Sequence, residues 1–262
     1  MAVPRRLLFG EVAELYDTYR PSYPSELIDD LAVRSGVAPG TRILEVGAGT
    51  GKATLLFAAI GAGVVALEPS APMAEVARRN CAGYPAVEII ERDFERWDRA
   101  GQRFPLLYCA QAWHWIDPAV GYKLARAALV DGGVLAAFWN RPAWDWSPTR
   151  EALAEVYAAT VPDLLTDGPM HPANEDPDAD EDWQRDIADA NGFSDPEVRF
   201  YDWSVDYSAH QYAGMLMTLS EIRLLADRER EALLSGVRAV IDHHGGSFTV
   251  PLRTRLCLAR AV

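Results

Sequence analysis

The feature that most constrains this chain is Ile43-Leu-Glu-Val-Gly-Ala-Gly-Thr-Gly51, where a β-branched, apolar run gives way to glycine at every second position. Arg42 to Val46 has strand character, and Lys52 to Ile60 has a helical pattern that closes at Gly61. The glycines are therefore expected at a strand-to-helix turn, which aims bare backbone N–H groups at a ligand. Glycine suits such a turn because a Cβ would block close approach and resist positive φ.

Spacing separates the motifs that compete for this loop. A Walker loop needs glycine five residues before Gly51 and a hydroxyl after Lys52, but Val46 and Ala53 stand there. The dinucleotide fingerprint, counted from Gly47 and Gly49, needs a third glycine where Lys52 stands. What remains, Glu45-x-Gly47-x-Gly49-x-Gly51, resembles the first motif of the class I S-adenosylmethionine (SAM) methyltransferases.

The chain downstream extends the resemblance. Val64 to Glu68 reads as a second buried strand ending in an acid 21 residues past Gly47, the offset of a ribose-binding carboxylate in a doubly wound sheet. Ser70 and Pro72 are expected to cap and open a helix through Asn80 that places Met73 near the adenine side, with simple packing as the other reading of that methionine. After a third strand, Val87 to Glu91, the resemblance gives Asp93 the adenine amino group and the following backbone the ring nitrogen. A fourth strand, Leu106 to Ala110, leads into Gln111-Ala-Trp-His-Trp115, and this A-Q-A-x-H-W-x-D run resembles the methyltransferase-11 type. Pro105 departs from that family's aspartate. Asp117-Pro118 caps the next helix, which runs to Leu129 and stops at Asp131-Gly-Gly133; Val134 to Trp139 is the fifth strand.

Near the start, Phe9 and Tyr16-Asp-x-Tyr19-Arg20-Pro-x-Tyr23-Pro precede an apolar helix, Leu27 to Val33. The pattern resembles the segment that folds over the cofactor in small-molecule methyltransferases; a packing arm with an Arg20–Asp17 pair is the other reading. The resemblance thus implies cofactor contacts from Tyr16, Arg20, Glu45, Gly47, Ala48, Gly49 and Thr50. Glu68, Pro69, Met73, Asp93, Phe94, Ala110 and Gln111 complete the set. Acceptor contacts are expected from Tyr19, Tyr23, Trp113, His114, Trp144, Trp146 and Met215. Five of the eight tryptophans fall between Trp113 and Trp146, which points to an aromatic cleft or, equally in kind, to buried core. His114 is the candidate general base by its titration range; support of its loop is the alternative.

The resemblance implies an α/β fold: a doubly wound, mostly parallel seven-stranded sheet in the order 3-2-1-4-5-7-6. One domain spans 1–262, with a core of about 36–140 and 196–262 and a helical cap from 1–35, 141–195 and 208–246. Pro148 to Thr160 reads as a cap helix, Val198 to Tyr207 and Phe248 to Arg260 as strands six and seven, and Ser208 to Gly245 as helical. Alternation in strand seven suits an antiparallel edge.

A net charge of −13 with no concentrated basic run disfavours nucleic acid and anionic lipid as partners. Arg5-Arg6 heads neither a signal peptide nor a membrane span, so a cytoplasmic monomer or homodimer acting on a small molecule is expected. Cys81, Cys109 and Cys257 lack metal-ligand spacing and read as reduced thiols. The acidic run 175–182 lacks calcium-loop spacing, and His243-His244 reads as a helix end, so no metal is expected. The activity implied is methyl transfer from SAM, releasing S-adenosyl-L-homocysteine, to an oxygen nucleophile, with nitrogen or carbon acceptors and a non-catalytic SAM-binding module as alternatives. A nicotinamide dehydrogenase is disfavoured by the missing glycine.

Overall fold

The structure is a computed structural model that describes residues 12–167, 169–170 and 181–262. Arg5-Arg6, Phe9 and nearly all of the acidic run 175–182 lie outside the described residues. The strands are β1 (Arg42–Val46), β2 (Gly63–Leu67), β3 (Val87–Ile90), β4 (Phe104–Ala110), β5 (Leu129–Pro142), β6 (Glu197–Ser208) and β7 (Ser247–Arg260). They form one sheet in the expected order, β3-β2-β1-β4-β5-β7-β6. Pairing is parallel from β3 through β5. Gly132 N–H bonds Ala261 O while Ala143 N–H bonds Pro251 O, so β7 runs antiparallel to β5. Asp202 faces Arg253 and Asp206 faces Thr249, which makes β6 antiparallel to β7 in turn. The alternating strand β7 is therefore interior, and β6 forms the edge.

The chain divides into two compact units: Ser22–Trp139 with Asn174–Tyr201 and Thr254–Val262, and Met1–Pro21 with Asn140–Ala173 and Asp202–Arg253. In the first, parallel strands covered on both faces read as continuous apolar runs. Successive residues alternate between two clusters. Leu44, Val46, Val65, Leu67, Leu107, Cys109, Leu135 and Ala137 share one with α5 (Pro118–Ala128) and α8 (Glu181–Asp189). Ile43, Val64, Ala66, Leu106, Tyr108, Val134, Ala136 and Phe138 share the other with α2 (Ser25–Ser35) and α3 (Lys52–Ala59). Helix α4 (Ala71–Asn80) completes this unit.

Two elements expected in a cap belong to this unit instead. Helix α2 buries Leu27, Ile28 and Leu31 with Ile43 and Phe57. Helix α8 inserts Trp183 and Ile187 among Leu129, Cys257 and Ala259. Strand β4 starts earlier than expected because Pro105, which cannot donate to a ladder, sits at a register shift between Phe104 and Leu106. Strand β5 likewise begins before Asp131-Gly-Gly133, since Gly132 (φ +76°) bonds Ala261 within it.

The second unit comprises α1 (Ala13–Tyr19), α6 (Pro148–Thr160), α7 (Leu164–Asp167), α9 (Ala209–Leu216), α10 (Ser220–Arg223) and α11 (Asp227–His243), with the adjoining strand ends. Its core gathers Leu153, Tyr157, Tyr207, Tyr212, Leu233, Val237 and Ile241. The stretch from Ser208 to Gly245, expected as helical throughout, breaks into α9, α10 and α11. A capping box, Ser208 Oγ accepting from Gln211 N and Gln211 Oε1 from Ser208 N, starts the first of them.

Candidate cofactor site

The glycine loop leaves β1 and is fastened on three sides. Gly47 and Ala48 donate their N–H groups to Leu67 O at 2.9 and 3.0 Å, and Asn80 Nδ2 donates to Thr50 O at 3.0 Å. Two glycines answer to different constraints. At Gly47 (φ +75°) an added Cβ would stand 2.6 Å from the Ala112 Cβ, so the residue is required by packing. At Gly49 (φ +58°) a Cβ would meet nothing within 4 Å, so that face of the loop is open to a ligand while the backbone still favours glycine.

Glu68 follows β2 and ties the loop to the next helix. Its Oε2 accepts from Gly49 N–H and its Oε1 from Ser70 N–H, both at 2.8 Å. Burial raises its carboxyl to about 7; those two backbone hydrogen bonds oppose the rise, and the nearby Asp93 charge adds to it. A carboxylate has about four acceptor positions, and two serve the protein. Ser70 therefore contributes its backbone N–H: it occupies the N-cap position of α4 without a side-chain cap bond, contrary to the sequence expectation.

Glu45 is held from inside the protein. Its side chain is fully buried, and Oε2 accepts from Thr54 Oγ1 and, at 2.9 Å, from Tyr108 OH. Through Oε2 the carboxylate thus ties α3 and β4 to β1. Burial raises it to about 7, with the two hydroxyls opposing and Glu68 adding. Among the described residues, Glu45 Oε1 and Thr50 Oγ1 are buried polar atoms without a hydrogen-bond partner.

Beyond β3 the chain stays close to Glu68, whose N–H bonds Ile90 O and whose carbonyl accepts from Arg92 N–H. Asp93 is half-buried there, Pro69 is half-buried, and Met73 and Phe94 are buried. At the end of β4, Ala110 leads to Gln111, a non-glycine residue at φ +61° whose N–H bonds Phe138 O at 2.9 Å. Such strain concentrates at functional sites. Trp113, expected at the acceptor, is a core residue: only 4% exposed, it packs against Phe94 and Tyr122, with the Tyr122 ring 5.4 Å away. His114 is exposed, its ring lies tilted at 48° beside Trp115, and its Nδ1 accepts from the Trp139 indole at 3.4 Å. Sequence reasoning missed Trp139, Thr54 and Tyr108; a donor-only indole on the neighbouring strand was the available signal for the first.

Residues 43–133 match a family model described as a methyltransferase domain. An uncharacterised methyltransferase of Mycobacterium tuberculosis is 37% identical over 134 residues, 51% of this chain and 52% of that one. Residues 43–133 are thus similar to a methyltransferase domain. The chain spans about half the length of the first curated relatives it matches. A SAM-dependent methyltransferase from Thiobacillus denitrificans, solved with S-adenosyl-L-homocysteine, shares the fold with TM-score 0.53 and 18% identity over 100% of both chains. A protein of Anaeromyxobacter dehalogenans assigned as a type II methyltransferase does so with TM-score 0.61 and 23% identity, over 93% of this chain and 97% of that one.

Tyr23, outside the matched residues, packs edge-on against Phe138 in the same unit as the methyltransferase domain. The remaining candidates fall in the second unit. Arg20 lies over the Tyr16 ring, 5.4 Å from its centroid, and its Nε donates to Thr218 Oγ1 at 2.6 Å. Tyr19 OH meets His210 Nδ1 at 3.4 Å, and its ring rests so close to Gly214 that a Cβ there would stand 2.5 Å from it. Trp144 is core, donating to Pro169 O at 3.0 Å and stacked on Phe248. Met215 is half-buried against that core, whereas Trp146 is 72% exposed.

All three cysteines are buried and outside any disulfide, and burial pushes the Cys81 thiol up to about 11. Among the described residues no group of three or more His, Cys, Asp or Glu could hold a metal ion, and no helix is long and apolar enough to cross a membrane.

Proposed function

We propose that the methyltransferase domain binds SAM along the loop from Gly47 to Thr50 and transfers its methyl group to an oxygen of a small molecule. Glu68 carries this reading: a buried carboxylate that fixes the open Gly49 turn while keeping acceptor capacity for two ribose hydroxyls. Asp93 and Phe94, with Pro69 and Met73 from the segment that follows Glu68, form the adenine end, and Ala110 and Gln111 border the reacting end. Thr50 Oγ1, buried without a partner, offers a further polar contact to the ligand. A bound sulfonium supplies an already activated methyl group. The chain's own task is then to align the acceptor, and orientation alone can supply about 7–11 kcal/mol of the barrier.

Calorimetric titration compares SAM with NAD, and incubation with isotopically labelled SAM and a metabolite extract reveals the acceptor. The proposal expects SAM binding, no NAD binding and a labelled small-molecule product. Binding without any labelled product would make the domain a SAM-binding module, and NAD binding in preference to SAM would overturn the cofactor assignment. In Gly49→Val the side chain would enter the open face of the loop, and SAM binding is expected to be lost; binding retained within a few fold would confine the glycines to shaping the turn.

A further inference from the structure

We propose that His114 is a hydrogen-bond donor to an anionic oxygen of the methyl acceptor, held in that role by Trp139, and that the acceptor is accordingly a carboxylate. The inference rests on the methyl-transfer reading above and specifies its substrate class. Its root is an asymmetry of donors. An indole N–H can only donate, and Trp139 Nε1 lies 3.4 Å from His114 Nδ1. Nδ1 is therefore the acceptor, and the neutral imidazole carries its proton on Nε2. A general base needs an unprotonated nitrogen directed at the acceptor's proton. The one unprotonated nitrogen of this tautomer is directed at Trp139, and protonating it would set donor against donor.

The pair is built by backbone rather than by a chance meeting of two side chains. Gln111 N–H bonds Phe138 O at 2.9 Å, which fastens the His114 segment to the residue preceding Trp139. Gln111 holds φ +61° to make that turn, and Ala112 packs against Gly47 closely enough to exclude any Cβ there. His114 thus follows directly on a segment braced by the cofactor loop on one side and by β5 on the other.

The donor role selects the substrate. An alcohol, a phenol or an ammonium group must lose a proton in order to take a methyl group, and this histidine tautomer is not arranged to receive it. A carboxylate is already ionised at neutral pH. Its oxygen forms the new C–O bond as the C–S bond breaks, the electron pair of that bond stays on sulfur, and no proton is released. The second carboxylate oxygen is then the natural partner of the His114 N–H.

The test reads the tautomer before it reads activity. In histidine-¹⁵N-labelled protein at pH 7.5, with the His114 signals assigned by their loss in His114→Gln, long-range ¹H–¹⁵N correlation is expected to show the Nε2–H form. Trp139→Phe should release that preference towards a mixture. An Nδ1–H or imidazolium His114 in the unsubstituted protein overturns the proposal whatever the enzyme does. With labelled SAM and separate pools of carboxylic acids, alcohols and amines, the label is expected in base-labile methyl esters; label confined to ethers or amines overturns the substrate class. His114→Gln keeps an N–H donor and no base, so its kcat/KM should stay within about tenfold of the unsubstituted protein, while His114→Ala falls by about 10- to 150-fold. A Gln variant as impaired as the Ala variant overturns the donor role. Failure to bind SAM would instead sink the methyl-transfer reading and the substrate class with it, and the tautomer would still decide the donor assignment.

Discussion

The two compact units bury different kinds of chemistry. In the unit that carries the glycine loop, buried polar side chains gather where β1 and β2 end: Glu45, Thr50, Thr54, Glu68 and Ser70. In the other, Asn140 and Thr218 are buried too, but the interior is dominated by aromatic and aliphatic side chains, built on Trp144, Tyr157, Tyr207 and Tyr212. Buried carboxylates are costly to ionise, so their concentration at one loop is the feature on which the proposed ligand site rests. Tryptophans clustered in sequence are accordingly poor markers of a cleft: Trp113 and Trp144 went to two different cores, and only Trp146 remained exposed.

The sharpest way to break this contrast is Trp144→Ala. Loss of the stack on Phe248 and of the bond to Pro169 O should destabilise the protein by about 3–5 kcal/mol in urea unfolding. A loss below about 1 kcal/mol would mean that Trp144 is not a packing residue and the aromatic core is misassigned.

The next effect sharpens the other side. Glu45 and Glu68 are both raised to about 7 in the folded protein from an ordinary value of 4.5. Between those values the folded state holds protons that the unfolded chain has lost. Their contribution is thus most favourable below about pH 4.5, falls as pH rises towards 7, and is level above it. The fall is on the order of 3 kcal/mol for one such group. Unfolding measured at pH 5 and pH 8 should therefore show a smaller loss of stability in Glu45→Gln than in the unsubstituted protein. An equal loss in both would mean that Glu45 is ionised throughout this range and its burial carries no linked proton.

The smallest effect belongs to Trp146→Ala, which should change stability by no more than about 0.5 kcal/mol because the side chain is 72% exposed. A larger loss would place Trp146 in a packed environment.

Periodicity and punctuation made much of the fold legible. Arg42–Val46 and Pro148–Thr160 fall where the pattern put them, and Asp117 caps α5 by accepting from Ala119 N–H. These elements are governed by local rules that hold wherever the chain later packs. The boundary of the unit that carries the glycine loop was not legible, because an amphipathic helix such as α2 shows that it has an apolar face without showing which surface covers it. The same limit misplaced Trp113: alternating aromatic residues after β4 do not say which ring turns inward. The internal partners of Glu45 were not legible either, since Thr54 and Tyr108 stand 9 and 63 residues away. The strained Gln111 carries no sequence signal, since a positive φ outside glycine is imposed by surroundings such as the Phe138 carbonyl.

The central claim is that the Glu68 carboxylate converts the glycine loop into a SAM site, and calorimetric titration of SAM into the unsubstituted protein and Glu68→Ala tests it most directly. With circular dichroism establishing that the variant is folded, the account predicts an affinity lower by about 1.5–3 kcal/mol, the scale of hydrogen bonds to a charged group. A folded Glu68→Ala protein that binds SAM with an unchanged dissociation constant would contradict it.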